Sequence, residues 1–148
     1  MTSTQDWTIR KAELADLDDI KHIADSYKQE LGFILRPVLA RSINLGGLFV
    51  AVNGEGIVGF IQYHHRRDAQ TTLHNIVVES NYRKSGIGHK LIEFLEAESS
   101  LREQTMIQLK CPEDLESNAF YEHIGYKKVT VERGKTRRLN IWRKNLGP

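Results

Sequence analysis

A chain of 148 residues, 40% hydrophobic and 27% charged, carries enough apolar material for one compact domain over residues 1–148 and does not have the make-up of a disordered chain. Its net charge of +2 is too weak to point to nucleic acid by itself, its single cysteine, Cys111, excludes an internal disulfide framework or a cysteine-rich zinc site, and no run approaches the roughly 18 apolar residues of a membrane span. The first residues hold no apolar signal core, so a reducing, cytoplasmic setting is the default expectation.

In chain order, "WTIRKA" reads as a short strand. "DLDDIKHIADSYKQEL" then sets Leu17, Ile20, Ala24, Tyr27 and Leu31 at helical spacing. Asp16, Asp18 and Asp19 crowd its first turn, where the helix dipole favours anions. A second helix is predicted over Pro37 to Leu45, with Pro37 in its first turn. "LFVAVNGEGIVGFIQYHH" is a hairpin with a tight turn at Asn53-Gly54. "RRDAQ" turns the chain into "TTLHNIVV", a further strand. Past a glycine turn, Ile87, Leu91, Phe94 and Leu95 make an apolar helix face. "TMIQLKC" alternates as a strand. "SNAFYEHIG" is a short helix with Ser117 or Asn118 as N-cap and Gly125 as its stop. "YKKVTVE" and "RRLNIWRK" flank "RGKT" as a last hairpin. The order β-α-α-β-β-β-α-β-α-β-β is mixed α/β, a largely antiparallel sheet flanked by helices.

The glycine turn, "NYRKSGIGHK", is richer than a strand-to-helix connection requires. A P-loop would need lysine after its last glycine, and His89 follows Gly88. A dinucleotide fingerprint would need a third glycine where Leu91 stands, and a parallel sheet besides. The pattern R/Q-x-x-G-x-G/A is met by Arg83, Gly86 and Gly88. Glycine lets a backbone approach a ligand closely, and amides at a helix start lack intrahelical partners. A pyrophosphate can fill such a row of donors, and Arg83 and Lys84 add flexible charge. The plain alternative is a helix start that needed glycine.

With that motif the chain resembles the GNAT family of N-acetyltransferases. "LHNIVVESNYRKSGIGHKLIEFL" is similar to that family's strand, pyrophosphate loop and helix. "LKCPEDLESNAFYEHIGYKKV" is similar to its next strand and helix, through Asn118, Phe120, Tyr121, Gly125 and Tyr126. One residue fewer than in many members separates the asparagine from the tyrosine. Lys84-Ser85 also stands where glycine is common after the arginine. The resemblance implies the acyl-CoA N-acyltransferase fold, with acetyl-CoA as donor and its pantetheine arm in a V-shaped gap between the strand ending at Val78 and the strand around Ile107 to Lys110. It implies cofactor contacts at Ile76, Val77 and Val78, with the Ile76 amide on the acetyl carbonyl. It further implies a pyrophosphate on the amides of Lys84, Ser85, Gly86, Ile87, Gly88 and His89 beside Arg83, and Asn118 near the coenzyme. Tyr121 corresponds to the proton donor to the leaving sulfur, and His74 to a base or proton relay.

An ammonium near pKa 10.4 is neutral in well under one molecule in ~1000 at pH 7, so a base helps, and an imidazole suits the task. Strict alternation sets His74 on one strand face with Ile76 and Val78. A polar side chain packed in the sheet is the alternative for His74, and an aromatic packing role for Tyr121. Cys111 has no histidine partner in its motif and reads as a small residue at a strand end. His64 and His65 on the neighbouring strand are alternatives to His74 as the base; being adjacent, they point to opposite faces, and no metal is expected. Arg133, Lys135, Arg137 and Arg138 crowd the last hairpin, which suits an acidic acceptor or a solvated edge. The expected activity is acetyl transfer from acetyl-CoA to a primary amine on a small molecule or protein. A coenzyme-binding or protein-interaction module without turnover is the alternative. Neither nucleic acid nor a membrane is an expected partner, and a homodimer is left open.

Overall fold

The computed structural model describes residues 6–147. Seven strands form one mixed sheet in the order β1-β2-β3-β4-β5-β7-β6: β1 Thr8–Lys11, β2 Leu48–Asn53, β3 Gly56–His65, β4 Gln70–Val78, β5 Met106–Pro112, β6 Lys127–Arg133 and β7 Arg138–Asn145. The helices are α1 Leu17–Ser26, α2 Lys28–Leu31, α3 Arg36–Asn44, α4 Ile87–Leu101 and α5 Ser117–His123. β4 and β5 run parallel, whereas β1–β2, β2–β3, β5–β7 and β6–β7 are antiparallel, so the expected mixed, largely antiparallel class holds. The chain divides into two compact units, one containing residues up to Tyr63 and Asn75–Leu95, the other His64–His74 and Glu96 onward.

In the first unit, Ile20, Ile23 and Ala24 of α1 and Leu39 and Ile43 of α3 pack on Leu48, Val50, Phe60 and Val77. Each of the isoleucine, leucine, valine and phenylalanine side chains contributes about 1.5–3 kcal/mol when fully buried. On the other face of the β2–β3 hairpin, Phe49 stacks on Tyr63 (5.7 Å) and meets Phe94 of α4 edge-on (5.5 Å). The predicted helix over Leu17–Leu31 is interrupted at Tyr27, and the hairpin turn falls at Gly54-Glu55, where Asn53 Oδ1 accepts from the Glu55 amide (2.8 Å). Gly59 allows a close approach within this unit. A Cβ there would sit 2.8 Å from the Val77 carbonyl oxygen and 3.3 Å from Val78 Cα.

In the second unit, Ile107, Leu109 and Cys111 of β5 and Asn140 and Trp142 of β7 point to one face. Both helical segments of the unit pack there. Asn118 of α5 bonds Asn140 and Trp142, and Glu96 of α4 bonds Lys144. Among the described residues, no helix of this unit packs on the opposite face, which carries Gln108, Lys110 and Arg143.

The β4–β5 ladder runs from Gln70↔Met106 to Leu73↔Leu109 and stops, although both strands continue. β4 is also irregular. Thr71 Oγ1 lies 2.8 Å from His65 Nδ1, and Asn75 Nδ2 donates to Gln62 Oε1 (2.8 Å). Gln62 and His65 point to opposite faces of β3, whereas regular alternation would send Thr71 and Asn75 to the same face. β4 therefore holds one extra residue between Thr71 and Asn75, a bulge.

Gly59→Ala should destabilise the protein by about 1–3 kcal/mol, because backbone rather than a flexible side chain must yield. Urea denaturation measures this; a change within about 0.5 kcal/mol, the range of an ordinary surface substitution, would show that β3 and β4 give way freely.

Candidate active site

The donor loop belongs to the first unit. Past β4, a short 3-10 turn at Ser80–Tyr82 leads into Arg83, Lys84 and Ser85. Lys84 has φ +67° and Gly86 φ +92°. A Cβ on Gly86 would touch nothing within 4 Å, so its backbone angle, not space, calls for glycine. Lys84 takes the left-handed conformation without that freedom, at a cost of about 1 kcal/mol or more. These two reversals aim the chain into α4, whose first amide with an acceptor of its own is that of Lys90, bonded to the Gly86 carbonyl (3.0 Å). Among the described residues, no acceptor takes the amides of Lys84, Ser85, Gly86, Ile87, Gly88 or His89.

The loop is tied down from several sides. The Ser80 amide donates to Tyr27 Oη (2.8 Å), Tyr82 Oη to Glu55 Oε2 (2.8 Å), and Ser85 Oγ to the Tyr82 carbonyl. Arg83 is pinned rather than free. Its Nε donates to the Val78 carbonyl (2.8 Å), its guanidinium lies 5.1 Å from the Tyr27 ring centre, and one terminal nitrogen is 3.4 Å from Glu30 Oε2. Val77 is buried in the core, and Ile76 and Val78 are half-buried. His89 faces solvent with Glu93 at 3.5 Å.

In the second unit, Tyr121 is 5% exposed, with Phe120, Tyr126 and Trp142 rings 5.5, 6.2 and 6.3 Å away. Burial, with a smaller contribution from Cys111, pushes its phenol well above the ordinary range. Its hydroxyl has no hydrogen-bond partner among the described residues. Asn118 anchors the start of α5. Its Nδ2 donates to the Pro112 (2.9 Å) and Leu115 (2.8 Å) carbonyls, and its Oδ1 accepts from Asn140 Nδ2 (2.9 Å) and Trp142 Nε1 (2.9 Å). That uses both protons and both lone pairs of the amide. The helix N-cap is Glu116, not Ser117 or Asn118. Cys111 is buried 3.3 Å from Ser117 Oγ, and burial raises its thiol pKa, which keeps it protonated and a poor nucleophile.

On the open face of this unit, a depression of about 620 Å³ is lined by His64, Arg66, Thr72, His74, Gln108 and Lys110. His74 is exposed at its rim, yet the walls remove part of its hydration and His64 adds a like charge. Desolvation first and His64 second lower its pKa from 6.5, which favours the neutral imidazole at physiological pH. Among the described residues no group of histidine, cysteine or carboxylate side chains is placed to hold a metal ion, and no helix is long and apolar enough to cross a membrane.

A family model described as an acetyltransferase (GNAT) domain matches residues 44–128, more than half of the chain. The chain belongs to the GNAT family. It is an acetyl-CoA-dependent N-acetyltransferase. Solved structures agree in fold. The ribosomal-protein-S18-alanine N-acetyltransferase of Escherichia coli is 23% identical with a TM-score of 0.80, covering 96% of this chain and 95% of that one. An aminoglycoside 6'-N-acetyltransferase complexed with coenzyme A is 20% identical with a TM-score of 0.82, covering 95% and 98%. Arabidopsis thaliana Naa50, in complex with the bisubstrate analogue CoA-Ac-MVNAL, is 17% identical with a TM-score of 0.80, covering 94% and 98%. No curated protein matches the chain.

The acetyltransferase thus gathers Val78, Arg83 and the amide row in one unit, and Tyr121 with Asn118 in the other, where His74 sits among groups the motifs did not mark. Spacing alone did not reveal Tyr27 and Glu30 as supports of the loop, or Asn140 and Trp142 as partners of Asn118. Nor did it reveal Lys110 in the depression with His74, although it sets His64 on the neighbouring strand. Each meets its partner through long-range pairing, which spacing along the chain does not show.

An NMR titration of the His74 ring should give a midpoint below 6.5. His64→Gln, which removes the neighbouring like charge, should move it upward; no upward movement would mean that His64 does not act on it.

Proposed function

We propose that the acetyltransferase moves the acetyl group directly from acetyl-CoA to a primary amine, without an acyl-enzyme. The observation that carries this reading is the row of amides from Lys84 to His89 with no acceptor, opening the fifteen-residue α4. Diphosphate oxygens are the acceptors such a row suits, aided by the helix dipole. The pantetheine arm would run along Ile76 to Val78 at the end of β4. Arg83 holds the Val78 carbonyl in the structure described, so its side chain would yield that oxygen when pantetheine takes it.

In the reaction the amine nitrogen bonds the acetyl carbon, the carbonyl becomes a tetrahedral oxyanion on the Ile76 amide, and the carbon–sulfur bond then breaks. His74 takes the proton lost by nitrogen, directly or through water, a role helped by its low pKa. Tyr121 faces the leaving thiolate. Even an ordinary phenol giving its proton to a thiolate is uphill by about 1.5 pH units, or roughly 2 kcal/mol. Burial raises that cost, so Tyr121 acts by hydrogen-bonding the sulfur while solvent supplies the proton. Asn118, its four bonds already made, serves as a positioning residue that fixes α5 and Tyr121 rather than as a coenzyme ligand.

Calorimetry and thiol release with a panel of amines test these roles. Gly86→Trp should abolish acetyl-CoA binding. Tyr121→Phe should leave binding nearly intact and lower kcat about 10- to 100-fold, the worth of a hydrogen bond to a charged group. Parental turnover in Tyr121→Phe would remove that assignment, and binding without thiol release for any amine would leave only a coenzyme-binding module.

Asn118→Ala should lower kcat while acetyl-CoA affinity stays at the parental value. The milder Trp142→Phe, which deletes one donor to Asn118, should move kcat in the same direction. A selective loss of acetyl-CoA affinity in folded Asn118→Ala would make Asn118 a coenzyme ligand after all.

A further inference from the structure

The strand register of the second unit sets one row of side chains across four strands. Thr72 of β4 pairs with Gln108 of β5, Gln108 with Arg143 of β7, and Arg143 with Lys127 of β6. Directly paired residues point to the same face of a sheet, so this row lies on the face that carries Lys110 and that no helix of the unit covers. Arg143 Nε donates to Gln108 Oε1 (2.6 Å), which holds the row together. Lys110, Lys127 and Arg143 are exposed, and the row ends in the depression holding His74. Glu132, bonded to Lys110 at 2.9 Å, is the one carboxylate that β5, β6 and β7 place on this face near the row, and the depression itself is lined by none.

Resting on the reading of His74 as the base beside the amine, we propose that the acceptor is a polypeptide whose reactive amine is followed by acidic side chains, laid across the Gln108–Arg143–Lys127 row. Polycationic acceptors such as polyamines find no carboxylate lining where their second charge would go. A nucleic acid is a poorer occupant, because the row offers no aromatic side chain for base stacking and Glu132 repels phosphate. Geometry also sets the spacing. Three inter-strand steps of about 4.8 Å separate β4 from β6, which an extended chain covers in about four residues. Acidic residues at about the second to fourth positions after the amine therefore meet Arg143 and Lys127.

The test compares single-amine peptides that differ only in Glu or Gln at the second to fourth positions, a peptide with the Glu residues moved to the eighth position onward, spermidine, and a single-stranded oligonucleotide as competitor. The near-Glu peptide should exceed its Gln counterpart about 10-fold in kcat/KM at low salt. The ratio should fall toward unity near 1 M salt, where charges are screened beyond about 3 Å. Lys127→Gln combined with Arg143→Gln should collapse the same ratio and leave acetyl-CoA affinity unchanged. Transfer without a near-Glu preference, better transfer to spermidine, or an oligonucleotide displacing the Glu peptide would each overturn the inference; the first two leave the acetyltransferase reading standing. Acetyl-CoA binding with no thiol release for any amine would overturn both.

Discussion

A row of backbone amides that meets no acceptor among the described residues is the constraint on which the loop ahead of α4 rests. Secondary structure normally pairs such groups, and the first turn of any helix leaves a few exposed to water. Here the chain extends that deficit backward from α4 through Gly86 to Lys84, using two residues at positive φ, one of them lysine. Left-handed backbone at Lys84 is unfavourable locally, so the loop must be over-determined elsewhere. Tyr27 on the Ser80 amide, Tyr82 on Glu55 and Arg83 on the Val78 carbonyl are the restraints that do so. The donors are thus held in place before any anion arrives, which limits the ordering cost of binding.

In the second unit, rigidity is obtained differently. Asn118 saturates its amide with two carbonyls ahead of α5 and two donors from β7, in a region where an unpaired polar group costs about 1–3 kcal/mol. The network is not fully closed, since Asn140 Oδ1 is buried without a partner. Tyr121, one turn after Asn118, is set among three rings and keeps its hydroxyl unengaged. A buried phenol held this way is a poor acid.

Local patterns were legible where they were sufficient causes. The β2–β3 hairpin followed from alternation and its turn residues, and α4 from its apolar face, because both are decided by neighbours in sequence. The family was legible because two motifs coincided, one around Arg83, Gly86 and Gly88 and one around Tyr121. What could not be read depended on partners far along the chain. The predicted first helix breaks at Tyr27, whose hydroxyl meets an amide 53 residues away. Asn118 was a plausible cap by type, yet its nitrogen, not its oxygen, faces the carbonyls ahead of the helix. The bulge in β4 carries no glycine or proline to announce it; it shows only where His65–Thr71 and Gln62–Asn75 fall out of step.

With His74 as the proposed base, charge links the proton acceptor to the choice of substrate. An amine-accepting site lined with carboxylates would draw ammonium ions strongly but would also hold them protonated and raise the pKa of a nearby imidazole. The lining around His74 does the reverse. Desolvation and His64 lower its pKa, and a neutral imidazole neither repels an incoming ammonium nor must lose a proton before acting. Such a site gains little Coulomb attraction for the amine itself, so affinity must come from elsewhere on the acceptor. On the proposed reading, the exposed cations Lys110, Arg143 and Lys127 would supply it to a molecule that carries negative charge a few residues beyond its amine. Separating the two tasks would let the proposed base stay neutral where the proton leaves, while binding charge acts at a distance from it.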